Sequence, residues 1–192
     1  MSEWHVGVSA WIIQDGNYGD FSCHQQTEFA LEFYPHSWRP SSQQDRQARR
    51  IRASKYEVNA EVVHVSKGAW VIDFGVLAYQ QSQPPAMIRE GMWLEAEIDL
   101  GIDPFFYFED LAHVKGMPAL IYTWHIQKIG LETAPFIETQ DARGTRIMIR
   151  DEAKSAFREV EHTNAWADDN GHAEYVLHCT LVSRPPMRSR HS

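Results

Sequence analysis

The stretch that decides the fold is YEVNAEVVHV (Tyr56–Val65), SKG (Ser66–Gly68), AWVIDFGVLAY (Ala69–Tyr79) and, after a twelve-residue connection, MWLEAEIDL (Met92–Leu100). In the first piece Tyr56, Val58, Ala60, Val62 and His64 share one face, while Glu57, Asn59 and Glu61 start the other. A period of two is the mark of a half-buried strand. Ser66-Lys67-Gly68 fits a three-residue hairpin loop with Gly68 in the left-handed position. Such a hairpin sets Val65 against Ala69, Val62 against Ile72, Ala60 against Phe74 and Glu61 against Asp73. Like charges directly opposite one another destabilise a sheet, so the last pair calls for a nearby cation or ample water. In the third piece Met92, Leu94, Ala96, Ile98 and Leu100 alternate with Trp93, Glu95, Glu97 and Asp99. The result is one sheet with an apolar inner face and an acidic outer one.

Ahead of this stretch, Trp4 to Ile13 alternates with large apolar groups on both faces and reads as a strand covered on both sides. QDGNYGD (Gln14–Asp20) is rich in turn residues. Glu28 to Tyr34 reads as a second strand, and Pro35 and Pro40 are expected to end regular structure. RPSSQQDRQARRIRASK (Arg39–Lys55) then holds six basic residues against one Asp. It reads either as a solvated, mobile connector or as a basic arm that touches a phosphate or a carboxylate-rich partner.

Beyond Leu100, Asp103-Pro104 supplies an N-cap and a first-turn proline for a short helix that Gly116 can stop. The aromatic run Phe105–Phe108 suits core packing, with a ligand-facing lip as the alternative. Met117 to Ile129 reads as a strand, Glu132 to Gly144 as irregular and Arg146 to Arg150 as a short strand. Ala153, Ala156, Phe157 and Val160 lie at helical spacing, which predicts an amphipathic helix over Asp151 to His162. Glu174 to Val182 reads as the closing strand and 184–192 as a disordered tail. The expected division is therefore N-terminal strands over 1–38, an Arg-rich connector over 39–55, and a main β domain over 56–183.

The class implied is mainly β, an antiparallel barrel or sandwich with one or two short helices. Strand–hairpin–strand, third strand, short helix, fourth strand and later strand is an order that resembles the OB-fold, a five-stranded Greek-key barrel. The resemblance covers Tyr56 to Ile129, with Glu174–Val182 as the fifth strand, and rests on element order alone.

At 192 residues and 43% apolar content, with 23 Trp, Tyr and Phe side chains, the chain suits one domain or a small domain with an extension. No apolar run reaches the roughly 18 residues that span a bilayer. The start, MSEWHVGVSAWII, lacks a basic n-region and a clean apolar core, so no secretory signal is expected. Cys23 and Cys179 form no CxxC pattern and read as reduced thiols of a cytoplasmic protein of bacterial type. The formal net charge is −8, and ten acidic and two basic residues between Tyr56 and Ala112 carry that whole excess. Such a field repels phosphate backbones and attracts basic proteins.

No nucleophile elbow, phosphate loop or dinucleotide fingerprint is present, so no catalytic residue and no cofactor are assigned. Glu61, Asp73, Glu95, Glu97 and Asp99 could gather on one face and serve a hard cation or acid–base hydrolysis, although outward acids on a strand are usually just solvated. Ten histidines invite a zinc reading, with His172 and His178 six apart and Cys179 adjoining the second. Cys179 points away from His178 on a strand, however, and His64 falls on the apolar face, so no metal ligand set is assigned.

Three functions follow, in order. The first is a non-catalytic binding module of immunity or adaptor type, whose acidic face (Glu61, Asp73, Trp93, Glu95, Glu97, Asp99) docks a basic partner protein. The second is an OB-like binder of single-stranded nucleic acid that uses Arg46, Arg49, Arg50 and Arg52 as its electrostatic arm. The third is a metal-dependent hydrolase built on the acidic cluster.

Overall fold

The computed structural model describes residues 3–182, and the tail expected over 184–192 lies outside them. Ahead of the central stretch come β1 (Glu3–Ser9), α1 (Ala10–Gln14), β2 (Gln26–Phe29), β3 (Leu31–Pro40) and β4 (Gln47–Arg52). The central stretch itself forms β5 (Lys55–Val65), β6 (Trp70–Asp73), β7 (Leu77–Gln80) and β8 (Trp93–Ile102). A π-helical turn (Tyr107–Leu111) and β9 (Tyr122–Glu132) follow. Last come β10 (Phe136–Gln140), β11 (Arg146–Arg150), β12 (Phe157–Val160) and β13 (Glu174–Leu181). Among the described residues no helix is long and apolar enough to cross a membrane.

The fold class is the expected one, a mainly β chain with a closed five-strand barrel. Its neighbours run β5–β6–β7–β3–β8 and back to β5. All of these pairings are antiparallel except β3 with β7, which meet in parallel at Glu32 and Tyr79. The alternation read in β5 and β8 fills the interior, where Val58, Val62, Leu94, Ile98 and Leu100 are buried. That is the two-residue period acting as predicted.

Three strand assignments are corrected. Ala69–Tyr79 is two strands, because Gly75 adopts φ +113°, a conformation open to glycine, and its N–H donates to Asp73 Oδ1 at 3.0 Å. The barrel is closed by β3, upstream of the meander, and neither Met117–Ile129 nor Glu174–Val182 belongs to it. Pro35 and Pro40 do not end β3. Pro35 sits at a bulge in the pairing with β8 and Pro40 is the final residue of the strand, two places where a missing N–H is tolerated. The neighbour order stays OB-like, with the closing strand drawn from ahead of the other four.

Between β5 and β6 the pairs Glu61–Asp73 and Val62–Ile72 form as read. A bulge at Val63 then sets His64 against Val71 and Val65 against Trp70, one step off the expected register. Gly68 is not at positive φ, so the bulge rather than the glycine absorbs the extra residue.

The remaining strands build a flanking sheet in which β9 takes β13 on one side and both β2 and β12 on the other. β13 continues to β1, and β1 meets β8 in parallel at Gly7 and Gly101. The expected helix over Asp151–His162 is instead a short 3-10 turn (Glu152–Lys154) and β12. Phe157 packs over Gly130 and opposes Glu132, so pairing with the edge of β9 overrides a weak helical period. Glu132–Gly144, expected to be irregular, supplies β10, which pairs with β11 in a separate hairpin. Trp4–Ile13 is a strand only to Ser9, and α1 then buries Ala10, Ile12 and Ile13 while Trp11 faces solvent.

One core runs through barrel and flanking sheet, with Trp4 of β1 lying 5.8 Å from Tyr56 and 5.6 Å from Phe74. A smaller core covers the outer side of β6 and β7, where Tyr107, Leu111, Met117 and Leu120 pack on Val71 and Tyr79. Of the aromatic run, Tyr107 is fully buried and donates to the Pro118 carbonyl at 2.8 Å, while Phe106 and Phe108 remain partly exposed.

Candidate functional site

The outward positions of β8 are Trp93, Glu95, Glu97 and Asp99, and β5 lies beside them in fixed register. Glu61 opposes Trp93, Asn59 opposes Glu95, Glu57 opposes Glu97 and Lys55 opposes Asp99. Asp73 joins at the far side through its pairing with Glu61. All six residues assigned to the acidic face therefore share one outer surface of the barrel.

The Arg-rich stretch lies on that same surface. It is no loose connector: Gln47–Arg52 forms β4, which pairs with β5 along its outer edge. The link from β3 to β4, residues 41–46, is tied down by Asn59, whose buried amide donates to the carbonyls of Asp45 at 2.6 Å and Gln43 at 3.3 Å. Ser41 N–H donates to the Trp93 carbonyl at 2.9 Å. β3, β8, β5 and β4 thus form a continuous curved apron around a shallow trough, with Glu57, Glu95 and Glu97 on its floor and Arg39 and Arg49 on its walls.

Each carboxylate of the face meets a basic side chain or an imidazole from its own chain. Arg46 donates to Glu61 Oε2 at 2.6 Å and lies 2.8 Å from Asp73 Oδ2, which supplies the cation that the opposed pair requires. Its guanidinium also stands 5.9 Å from the Trp93 ring centroid. Arg39 grips Glu95 Oε2 with two nitrogens, at 2.8 and 2.5 Å. Those hydrogen bonds hold the Glu95 carboxyl below its ordinary range. Lys55 reaches Glu97 at 3.3 Å, His36 lies 2.7 Å from Asp99, and Arg49 pairs with Glu57. The acidic face and half of the basic arm, Arg46 and Arg49, read from sequence as rival sites, share one ion-paired surface.

Of the four arginines assigned to nucleic acid, Arg46 and Arg49 are committed in this way. Arg50 faces the opposite direction, where its charge acts on His5 and His178, and Arg52 lines a different cleft beside Ser54 and Trp11. Arg39, His36 and Asn59 belong to the face but were missed in the sequence. Their places depend on β3 and β4 lying beside β8 and β5, and the only local signal was the density of arginines next to an acidic segment.

A second polar cluster lies at the seam between β3 and β7, with Glu32, Tyr79 and Asp103 buried and Tyr34 reaching solvent. Tyr79 donates to Asp103 Oδ1 at 2.5 Å, the Tyr107 N–H donates to the same oxygen at 3.2 Å, and Tyr34 donates to Glu32 Oε2 at 2.6 Å. Burial raises Asp103 to about 6 and pushes Glu32 upward as well. Asp103 is the residue read as a helix N-cap; the N-cap position of the π-helical turn is Phe106, and Asp103 reaches the turn from further upstream by accepting the Tyr107 N–H.

Among the described residues one group of three combines histidine and carboxylate ligands at metal-binding spacing, Glu3, His5 and His178, none of which was assigned from sequence. His172 and Cys179, weighed with His178 for zinc, are not in that group. In comparisons with known proteins, no family model, no curated protein and no solved structure matches this chain.

Proposed function

We propose that the chain is a non-catalytic protein-binding module whose apron of β3, β8, β5 and β4 receives arginine side chains of a basic partner protein. The observation that carries this reading is that the face already holds guanidinium groups in formed cradles. Arg46 sits between two carboxylates and an indole, and Arg39 is held by two hydrogen bonds to one carboxylate oxygen. The cradles differ in how firmly they are occupied. The Arg46 side chain is 45% exposed, whereas Arg39 and Arg49 are 77% and 71% exposed over the trough floor. Exposed ion pairs contribute roughly 0–1 kcal/mol, so Arg39 and Arg49 are displaceable place-holders.

The test uses a nine-residue oligoarginine peptide and its binding isotherm at low and high salt. Replacing both Arg39 and Arg49 by Ala removes the internal competitors and is expected to tighten binding by about tenfold. Replacing Glu57 and Glu95 by Gln is expected to weaken it by about the same factor and to flatten the salt dependence. Peptide binding that is no tighter in the arginine variant removes this reading. Oligo-dT run in parallel addresses the nucleic-acid alternative, which needs Arg46 and Arg49 to leave carboxylates and meet phosphates. Tight oligo-dT binding that is lost on replacing those two arginines would favour that alternative.

A further inference from the structure

We propose that Glu3, His5 and His178 form a binding site for a divalent transition-metal ion of the zinc or cobalt type, which clips the first strand of the flanking sheet to the last. β1 and β13 are antiparallel neighbours, and His5 and His178 stand directly opposite each other in the register. Their rings are 3.9 Å apart between centroids. Glu3 lies two residues before His5, so the period of two brings its carboxylate to the same face. One carboxylate oxygen, Oε1, lies 3.2 Å from His5 Nε2 and 3.3 Å from His178 Nδ1. The three candidate ligand atoms fall within 4.8 Å of one another. Those two oxygen–nitrogen separations are near the edge of about 3.4 Å expected for a tetrahedron with bonds of roughly 2.1 Å.

The ligand chemistry narrows the ion. Two imidazoles and one carboxylate suit zinc and its neighbours, whereas calcium and magnesium prefer sites made of oxygen alone. The cluster is also anchored and accessible at once. His5 is 8% exposed and its backbone N–H donates to the Tyr56 hydroxyl at 2.7 Å, which holds its strand against the barrel. His178 and Glu3 are more open, at 28% and 47% of their side chains, so an ion can enter and keep a water ligand. Arg50 and Lys128 face the cluster from β4 and β9 and oppose a cation, and Glu3 offsets part of that charge.

The experiment takes the full chain without an affinity tag, stripped of metal by chelator, and titrates Co²⁺ while recording visible d–d absorption. Thermal melts are recorded with and without Zn²⁺. One Co²⁺ per chain and a melting temperature several degrees higher with Zn²⁺ are expected. Glu3→Gln and His178→Gln, both at open positions, are each expected to weaken binding by roughly a hundredfold and to abolish the thermal shift. His172→Gln is expected to leave both unchanged, which separates this site from casual histidine binding. If neither metal binds at millimolar concentration, or if Glu3→Gln and His178→Gln bind as the parent does, the site does not exist. Circular dichroism of the two variants at matched temperature keeps a folding defect from passing as a lost ligand.

Discussion

Asp103→Ala is expected to destabilise the protein by about 3 kcal/mol, a large effect for the loss of one polar side chain. The carboxylate is 3% exposed and accepts from the Tyr79 hydroxyl and from the N–H groups that open the π-helical turn. Truncation leaves those donors buried without an acceptor, at about 1–3 kcal/mol for each. Relief of a buried charge returns part of that loss. For a chain of this length the change corresponds to a fall of roughly 6–12 °C in melting temperature. A fall of less than about 2 °C would show that water or a rearranged turn takes over the donors.

The same residue carries a pH signature. Its folded-state value is raised to about 6 from an ordinary value near 3.8, so between those limits the native state holds more protons than the unfolded chain. The stability it contributes is present below about pH 4 and is lost as pH rises through about 6. At about 1.36 kcal/mol per unit the span is on the order of 3 kcal/mol. Glu32 shifts in the same direction through burial and adds to it. Asp103→Asn, which keeps one acceptor oxygen and cannot ionise, is expected to remove most of this slope. Chemical denaturation of both proteins at pH 4, 5, 6 and 7 measures it, and parallel curves would contradict the assignment.

Arg46→Met is the second substitution with a large expected effect, about 1–2 kcal/mol. It leaves Glu61 and Asp73 opposed across β5 and β6 with no cation between them, and takes a guanidinium from beside Trp93. Adding Glu61→Gln removes the repulsion, so the double variant should regain about half of the loss. A double-mutant cycle gives that coupling directly. The emission of the protein's tryptophans should also shift in Arg46→Met through Trp93, and the destabilisation should shrink at high salt. Additive single effects would mean that the two carboxylates are already screened by water.

The barrel's meander was readable because its information is local. Tyr56–Val62 and Leu94–Leu100 keep a strict alternation, and the clash of Glu61 with Asp73 announced a missing cation before its source was known. The source was unreadable, since Arg46 arrives on a strand that pairs with β5 only after β3 has turned along β8. Prolines 35 and 40 looked like terminators, and only the register shows that both stand where the ladder does not need their N–H. Phe157 and Val160 fit a helical period as well as a strand, and the free edge of β9 decided between them. The pairing of His5 with His178 had no sequence signal beyond two histidines on strands far apart in the chain. Distance along the sequence, more than residue chemistry, separated what could be read from what could not.

Trp4 belongs by hydrogen bonding to the flanking sheet and by ring contact to the barrel, where it meets Tyr56 and Phe74. In mechanical terms it is a rivet through two plates, and the consequence concerns cooperativity. Pulling the plates apart bares an indole that is 6% exposed together with the barrel rings it covers. Neither half therefore has a low-energy way to open alone, and barrel and flanking sheet should lose their structure in a single step.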